Sequence, residues 1–155
     1  MTIRVFGTSR LPTSARKPRD IIHVCRLVLK NEKAESEGEL NVVFLDRRRM
    51  RLLNKRFLDR SHDTDVIAFN YTEDPGPVKG VKPFGDIFIS AFQARQQAAQ
   101  QTHPVLAEVL FLTAHGILHL LGYDDSTARQ RAVMFRKQES ALRAGSLRRG
   151  AARRR

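Results

Sequence analysis

The longest apolar stretch of this 155-residue chain contains two histidines, and it constrains the fold more than any other segment. Residues 104–122 read PVLAEVLFLTAHGILHLLG, so apolar side chains fall on nearly every face of a helix. A helix of that kind is buried, either in the core of a domain or in a membrane. No run in the chain approaches the roughly 18 uncharged apolar residues of a membrane span. We therefore expect a buried core helix that ends near Gly122.

The two histidines lie on one face of that helix. His115 and His119 are four residues apart, about one helical turn. Two buried imidazoles need partners for their ring nitrogens, and one shared metal ion satisfies both. Gly122 suits the left-handed residue that ends a helix, and the reversal there can bring Asp125 beneath the histidines. The spacing H-x3-H-x2-G-x2-D thus predicts three ligands for one zinc ion, with the fourth position open to a catalytic water.

Each of these assignments has a simpler alternative. A lone histidine on an apolar face is more often a hydrogen-bonded core residue than a ligand, although a pair at this spacing favours a metal. Asp125 is also a candidate N-cap of the next helix, a role for which Asp124, Ser126 and Thr127 compete. Gly116 costs a helix about 1 kcal/mol relative to alanine. Its place between the histidines indicates either close approach of another group to the backbone or tight packing against a strand.

The other apolar patterns predict a mixed order of strands and helices around one sheet. We expect strands at 2–6, 39–45, 64–71 and 84–90, and helices at 18–30, 47–57, 91–101, 104–122 and about 126–142. Asp46 can cap the second helix, whose Met50, Leu53 and Phe57 are expected to face inward. The predicted fold class is α+β. Residues 1–142 form a single domain in which a roughly four-stranded mixed sheet packs with helices and the metal site lies on a buried helix.

Charge distinguishes the domain from the C-terminal residues. The formal net charge is +12, but residues 143–155 hold six arginines and no acid, which leaves +6 for the rest. With leucine as its one large apolar residue, that segment is expected to be a disordered basic tail, either an RNA tether or simply solvated. The positive charge favours nucleic acid as partner. The start of the chain lacks the apolar run of a secretory signal. Because Cys25 is the single cysteine, the chain cannot form an internal disulfide, which is consistent with a reducing compartment. We therefore expect a cytoplasmic protein.

Three blocks of the sequence resemble one known family. The segment HGILHLLGYDD, residues 115–125, is similar to the signature H-G-x-L-H-L-x-G-Y-D-H of the YbeY family of rRNA-maturation endoribonucleases. LNKRFLDRSHDTDVIAF, residues 53–69, resembles the family's L-N-x-x-Y-R-x-x-x-x-x-T-D-V-L-S-F segment. FGDIFIS, residues 84–90, resembles its G-D-I-x-I-S strand. The first block is highly specific, whereas the other two would be weak alone.

The resemblance implies a zinc-dependent endoribonuclease specific for single strands. Its expected roles are maturation of the 16S rRNA 3′ end and ribosome quality control, so the expected partners are rRNA and the ribosome, without a membrane or a small-molecule cofactor. The matching ligand positions are His115, His119 and Asp125. The nucleophile would be a zinc-bound water, and no protein general base is identified.

Two departures from the family pattern bear on that expectation. The third ligand is usually histidine, and Asp125 in its place lowers the formal charge of a zinc site from +2 to +1, which favours a less acidic water or a harder metal. Leu58 stands where the family has arginine. Arg56 and Arg60 flank that position and are candidates to supply the cation, although both also read as ordinary surface charges.

The basic helix 47–57 and the loop after it are the candidate RNA-binding surface. The residues concerned are Arg48, Arg51, Lys55, Arg56 and Arg60. Taken singly, each is more typical of solvated surface than of an RNA contact. Phe57, Phe69 and Tyr71 are candidate stacking platforms for bases, and a place in the core explains them equally well.

Two other functions remain open from the residues alone. The histidine spacing also matches metallopeptidases in which a glutamate follows the first histidine as general base, but Gly116 occupies that position here. The third reading is a ribosome-associated RNA-binding protein with a non-catalytic metal.

Overall fold

The structure, a computed structural model, describes residues 1–34, 37–72 and 83–153, with backbone alone for residues 144–153. Over these residues the chain folds into five helices and four strands. The strands are β1 (Thr2–Phe6), β2 (Glu39–Leu45), β3 (Val66–Asn70) and β4 (Pro83–Ser90). The helices are α1 (Pro18–Asn31), α2 (Arg47–Leu58), α3 (Ala91–Gln101), α4 (Val105–Leu120) and α5 (Ala128–Arg153). Two short 3-10 turns, Thr8–Arg10 and Thr13–Ala15, lie between β1 and α1. Most of the predicted loop between β3 and β4 lies outside the described residues.

The four strands form one mixed sheet in the order β1-β2-β4-β3. β1 pairs in parallel with β2, and β2 in parallel with β4. β3 pairs antiparallel with β4 and forms one edge of the sheet. The α+β class, the single domain and the mixed four-stranded sheet predicted from the sequence are confirmed.

One face of the sheet forms the deepest part of the core. Its strand residues alternate in burial because successive side chains of a strand point to opposite faces. The buried members on this face include Leu40, Val42, Phe44, Ile87 and Ile89, all 0% exposed. Helix α4 packs on β3 and β4 and also contacts α1, α3 and α5. The predicted burial of α4 is confirmed, and its packing on the sheet fixes the helix that carries the histidine pair.

Helix α2 packs differently from the prediction. Asp46 caps it as expected, accepting a hydrogen bond of 2.8 Å from the Arg49 backbone N–H. Met50 is buried, but the Phe57 side chain, predicted to face inward, is 55% exposed. A period of 3.6 residues places Phe57 two turns beyond Met50, where the helix reaches the edge strand β3 and has less to cover it.

Helix α5 is longer than predicted. We expected a helix to about residue 142 and a disordered tail at 143–155, whereas the backbone of α5 continues to Arg153. The extension, residues 143–153, holds four arginines and three alanines, which favour a helix, against two glycines, which disfavour it. The low apolar content that suggested disorder limits burial, but it does not oppose helix formation.

Among the described residues, no single helix is both long and apolar enough to cross a membrane. The helices Ala91–Gln101 and Val105–Leu120 reach that length and composition only as a pair, with a bend of 117° between them.

Candidate metal centre

The end of α4 brings three ligand atoms together. His115 Nε2 and His119 Nε2 are 2.9 Å apart, as expected for residues one turn apart on one face. Asp125 Oδ2 lies 3.3 Å from each of these nitrogens. The three side chains are partly exposed, so the group is open to solvent on one side. Their arrangement can hold a metal ion.

A Schellman motif positions Asp125. Gly122 has φ +97°, a left-handed conformation that favours glycine. The Gly122 and Tyr123 backbone N–H groups donate to the carbonyls of His119 and Leu118, both at 3.0 Å, which is the hydrogen-bond pair of that motif. The chain therefore reverses within three residues and returns to the exposed edge of the two histidines.

The neighbours that competed with Asp125 have other roles. Thr127 caps α5: its Oγ1 accepts from the Gln130 N–H at 3.1 Å, while Gln130 Oε1 accepts from the Thr127 N–H at 3.0 Å. Asp124 accepts from the Asp125 N–H at 2.8 Å and from the Ser126 hydroxyl at 3.0 Å. Those two bonds stabilise its charged form and lower the pKa of the Asp124 carboxyl. Of these residues, Asp125 is the one whose carboxylate faces the histidines.

Both imidazoles are oriented through their second nitrogen. His119 Nδ1 lies 3.0 Å from the Tyr123 carbonyl, which can only accept, so Nδ1 carries the proton. His115 Nδ1 lies 3.4 Å from Gln138 Oε1 on α5. The amide of Gln138 is itself oriented, because its Nε2 donates to the Phe111 carbonyl at 3.3 Å. Both Nε2 lone pairs are thereby directed at the ligand cluster.

A partly buried ion pair fixes Tyr123 in turn. The Tyr123 hydroxyl donates to Glu32, which follows the last residue of α1, and Lys137 Nζ of α5 donates to the same carboxylate at 2.9 Å. Burial alone would raise the pKa of Glu32, but the hydrogen bonds from Tyr123 and Lys137 outweigh it and the pKa is lowered. The Lys137 ammonium also lies 5.1 Å from the centre of the Tyr123 ring. Helices α1 and α5 thus anchor the residue whose carbonyl orients His119.

Gly116 is explained by packing. A Cβ there would lie 2.6 Å from Ile87 Cγ2 and 3.0 Å from Val66 Cγ1. Glycine therefore lets α4 approach β3 and β4 closely, which was the simpler of the two explanations for this residue. The same contact leaves no room for the glutamate that a peptidase of this spacing carries.

The predicted RNA-binding residues separate into two groups. Arg48, Arg51 and Lys55 help to line a groove of about 520 Å³, which we call the α2 groove. Its other lining residues are Arg47, Leu52 and Ser61. Arg56 and Arg60 are exposed but do not line it. Asp63 pairs with both Arg47 and Arg51, at 2.9 and 2.8 Å, so part of the positive charge in the groove is already neutralised.

The α2 groove and the metal centre lie on opposite faces of the sheet. The Phe57 ring of α2 packs 5.3 Å from Phe69, which packs 5.8 Å from Phe88. Phe88 alternates along β4 with Ile87, the residue against Gly116 of α4. Because neighbouring strand residues point to opposite faces, α2 and α4 cover different sides. Leu58, at the end of α2, is 45% exposed.

Sequence comparison identifies the family. The family model described as Endoribonuclease YbeY matches residues 9–145. The chain is 38% identical to Endoribonuclease YbeY of Elusimicrobium minutum, over 86% of this chain and 92% of that one. It is 39% identical to the Geobacillus thermodenitrificans protein of the same name, over 92% and 96% of the two chains. The fold matches the solution structure of TM1509 from Thermotoga maritima, with a TM-score of 0.62, 21% identity and coverage of 97% and 93%. This chain therefore belongs to the endoribonuclease YbeY family.

Proposed function

We propose that the protein is a zinc-dependent endoribonuclease that cleaves single-stranded RNA. The observation that carries the proposal is the convergence of His115, His119 and Asp125 at the end of α4. It occurs in a chain whose relatives are named endoribonucleases. Three ligands from a short segment with one side open to solvent is the composition of a catalytic zinc site rather than a structural one.

The spacing of the ligand atoms suits one zinc ion. Zinc binds nitrogen and oxygen at about 2.0–2.1 Å, so neighbouring ligand atoms in a tetrahedral site are about 3.3–3.4 Å apart. Asp125 Oδ2 lies 3.3 Å from both histidine nitrogens, and the two nitrogens are a little closer, at 2.9 Å. With both histidines protonated at Nδ1 alone, two Nε2 lone pairs and a carboxylate oxygen repel one another at these distances unless a cation lies among them.

The protein's own groups prepare the ligands for that cation. The Tyr123 carbonyl and the Gln138 amide accept from the Nδ1–H groups of the histidines, which keeps each Nε2 free of a proton. Such second-nitrogen partners also make an imidazole a better ligand. When bound, zinc supplies Lewis acidity toward a phosphate oxygen and lowers the pKa of water toward neutrality.

Asp125 changes the electrostatics of the proposed reaction. Two neutral imidazoles and one carboxylate leave a formal +1 at a divalent ion, compared with +2 for three histidines. We expect water at this site to be less acidic than at a three-histidine site, and harder metals to compete better with zinc.

Two further functional assignments belong to the proposal. The substrate in the cell is the precursor of the 16S rRNA 3′ end, and the protein acts on the ribosome in the cytoplasm, including in ribosome quality control. The α2 groove contributes basic contacts to phosphates that flank the cleaved nucleotide, on the other face of the sheet from the metal ligands. Arg56, Arg60 and the arginines of residues 143–155 add positive charge that attracts RNA.

Metal analysis of purified variants tests the centre directly. We expect one zinc per chain in the wild type and in Asp124→Asn, whose carboxylate faces the backbone rather than the histidines. His119→Ala and Asp125→Ala should lose it. Manganese is measured in the same samples because the carboxylate favours harder ions. Full zinc in Asp125→Ala would remove Asp125 from the centre.

Cleavage of a labelled single-stranded RNA tests the activity. The wild type and Asp124→Asn should cleave it, lose activity in EDTA and regain it with zinc, while His119→Ala stays inactive. Cleavage that persists in EDTA or in His119→Ala would point to a contaminating nuclease. Binding without cleavage would favour the RNA-binding protein with a non-catalytic metal. In cells, depletion should leave unprocessed 16S rRNA ends, and normal ends would refute the maturation role.

A further inference from the structure

One face of the first three turns of α5 borders the metal centre. Arg131, Phe135 and Gln138 stand at helical positions i, i+4 and i+7, so they share that face. Arg131 Nη1 donates to the Asp125 carbonyl at 3.2 Å, and Gln138 Oε1 meets His115 Nδ1. Phe135 lies between them, with its ring 6.0 Å from that of Phe111 on α4. Each of the three residues therefore contacts a metal ligand or the helix that carries two of them.

We propose that Arg131, Phe135 and Phe111 form a nucleotide subsite beside the metal centre, in which Phe135 stacks on an unpaired RNA base and Arg131 binds a backbone phosphate. The proposal rests on the endoribonuclease function proposed above and names how that site holds its substrate. It differs from the α2 groove, which lies on the other face of the sheet.

The exposure of Phe135 indicates a stacking role. Its side chain is 53% exposed although it packs on Phe111, so a large part of the ring surface faces solvent. Phe111 stands one turn before His115, on the same side of α4. An unpaired base offers a flat apolar face to such a ring, and proteins that bind single strands commonly use aromatic side chains in this way.

Arg131 provides the positive charge that the subsite needs. A guanidinium carries five N–H donors, and the contacts with the carbonyls of Asp125 and Ser126, at 3.2 and 3.3 Å, are made through Nη1 alone. The side chain is exposed and lies against the loop that holds the third ligand. Asp125 lowers the formal charge of the centre by one relative to a third histidine, and Arg131 places a cation next to the same loop.

Geometry favours this subsite over α2 for the nucleotide at the metal. The aromatic residue of α2 that is exposed next to a cation is Phe57, with the Arg56 guanidinium 5.5 Å from its ring centre. Its exposure, 55%, nearly equals that of Phe135. Phe57 packs on the sheet face opposite α4, however, so a base stacked on it would not be the one beside the histidines. Phe57 is thus a matched control for Phe135.

The test compares binding of a fluorescent 2′-O-methyl hexanucleotide to the full chain and its variants. Zinc content and oligonucleotide integrity are measured in every sample. We expect Phe135→Ala to weaken binding by about 5- to 100-fold, the effect of losing one base stack. Phe135→Tyr, which keeps the ring, should restore it, and Phe57→Ala should bind within twofold of the wild type. Arg131→Gln should reduce the slope of log affinity against log salt by about 0.7, the contribution of one phosphate of a single strand, while Arg131→Lys keeps it.

The outcomes separate the two proposals. If Phe135→Ala binds the oligonucleotide as the wild type does, while the wild type still cleaves RNA in a zinc-dependent way, the subsite is refuted and the endoribonuclease function stands. A loss in Phe57→Ala instead of Phe135→Ala would place the nucleotide on α2 and also refute it. If the wild type neither binds nor cleaves single-stranded RNA, the proposed function fails, and the subsite fails with it.

Discussion

Substitution of Gly116 by alanine tests how closely α4 approaches the sheet. Two effects of the added methyl group oppose each other. Alanine in a helix interior is favoured over glycine by about 1 kcal/mol. Its Cβ would lie 2.6 Å from Ile87 Cγ2, in a fully buried part of a central strand, and 3.0 Å from Val66 Cγ1. Overpacking of this kind costs about 1–3 kcal/mol, so we expect a net destabilisation of about 1 kcal/mol.

A double-mutant cycle with Ile87→Ala separates the two effects. Ile87→Ala alone should cost about 2–5 kcal/mol because it leaves a cavity in the core. It also removes the methyl group that the new Cβ would meet. In that background, Gly116→Ala should be neutral or stabilising, since the helix preference remains and the methyl partly fills the cavity. The coupling energy should be about 1–3 kcal/mol.

Urea unfolding followed by far-ultraviolet circular dichroism measures all four proteins, with zinc removed so that metal binding does not contribute. Gly116→Ala should lower the unfolding midpoint without changing the slope against urea. If Gly116→Ala stabilises the wild type by about the full helix-propensity difference of 1 kcal/mol, the close contact with Ile87 does not constrain α4. Equal effects of Gly116→Ala in both backgrounds would refute the coupling.

Three further predictions follow from the site and its surroundings. Hydrogen bonds from Arg51 and Arg47 lower the pKa of Asp63 to about 2, so its stabilising effect is present above the pKa of the unfolded chain and is lost as pH falls toward 2. The difference in melting temperature between the wild type and Asp63→Asn should therefore shrink from pH 5 to pH 2.5, and a constant difference would contradict it. Gln138→Met should weaken zinc binding by about 10- to 100-fold in a chelator competition, whereas Gln138→Glu, which keeps an acceptor for His115, should not; the exposed Gln96→Met is the control. Truncation after Leu142 should weaken RNA binding and its salt dependence without changing zinc content, and a loss of zinc would show that the end of α5 supports the centre.

The elements that the sequence predicted well are those whose burial follows directly from local pattern. Residues 39–45 form a short apolar run that fits a buried strand. Helix α4 is apolar on nearly every face, so it fits only a helix buried in the core. The convergence of His115, His119 and Asp125 was also predictable, because they lie within eleven residues whose geometry one helix end determines. Spacing after Gly122 favoured Asp125 over Asp124 as a ligand, but it left Asp125 and its neighbours as rival caps of α5. The structure separates them because Thr127 and Gln130 satisfy the start of α5 between them.

Properties that depend on pairs of distant elements were not predictable. Phe57 fits the apolar stripe of α2, but its exposure depends on how far α2 extends over the edge strand β3. The basic helix α2 comes directly before β3, a strand that contacts α4. The sheet nevertheless lies between the basic residues of α2 and α4. Gln138 gives no local signal in the sequence. Its role depends on α5 packing against the Phe111 carbonyl and His115, more than twenty residues earlier.

Adjacent residues of α5 reach both histidine ligands by different routes. Gln138 contacts His115 directly, whereas Lys137 acts through Glu32 and Tyr123, whose carbonyl holds His119. Because Gln138 and Lys137 are adjacent on α5, a shift of this helix would disturb the hydrogen-bond partners of both histidines together. Phe135 and Arg131 lie on the same helix, next to the same ligands. The stacking and phosphate-binding residues of the proposed nucleotide subsite therefore belong to the same helix as Gln138 and Lys137.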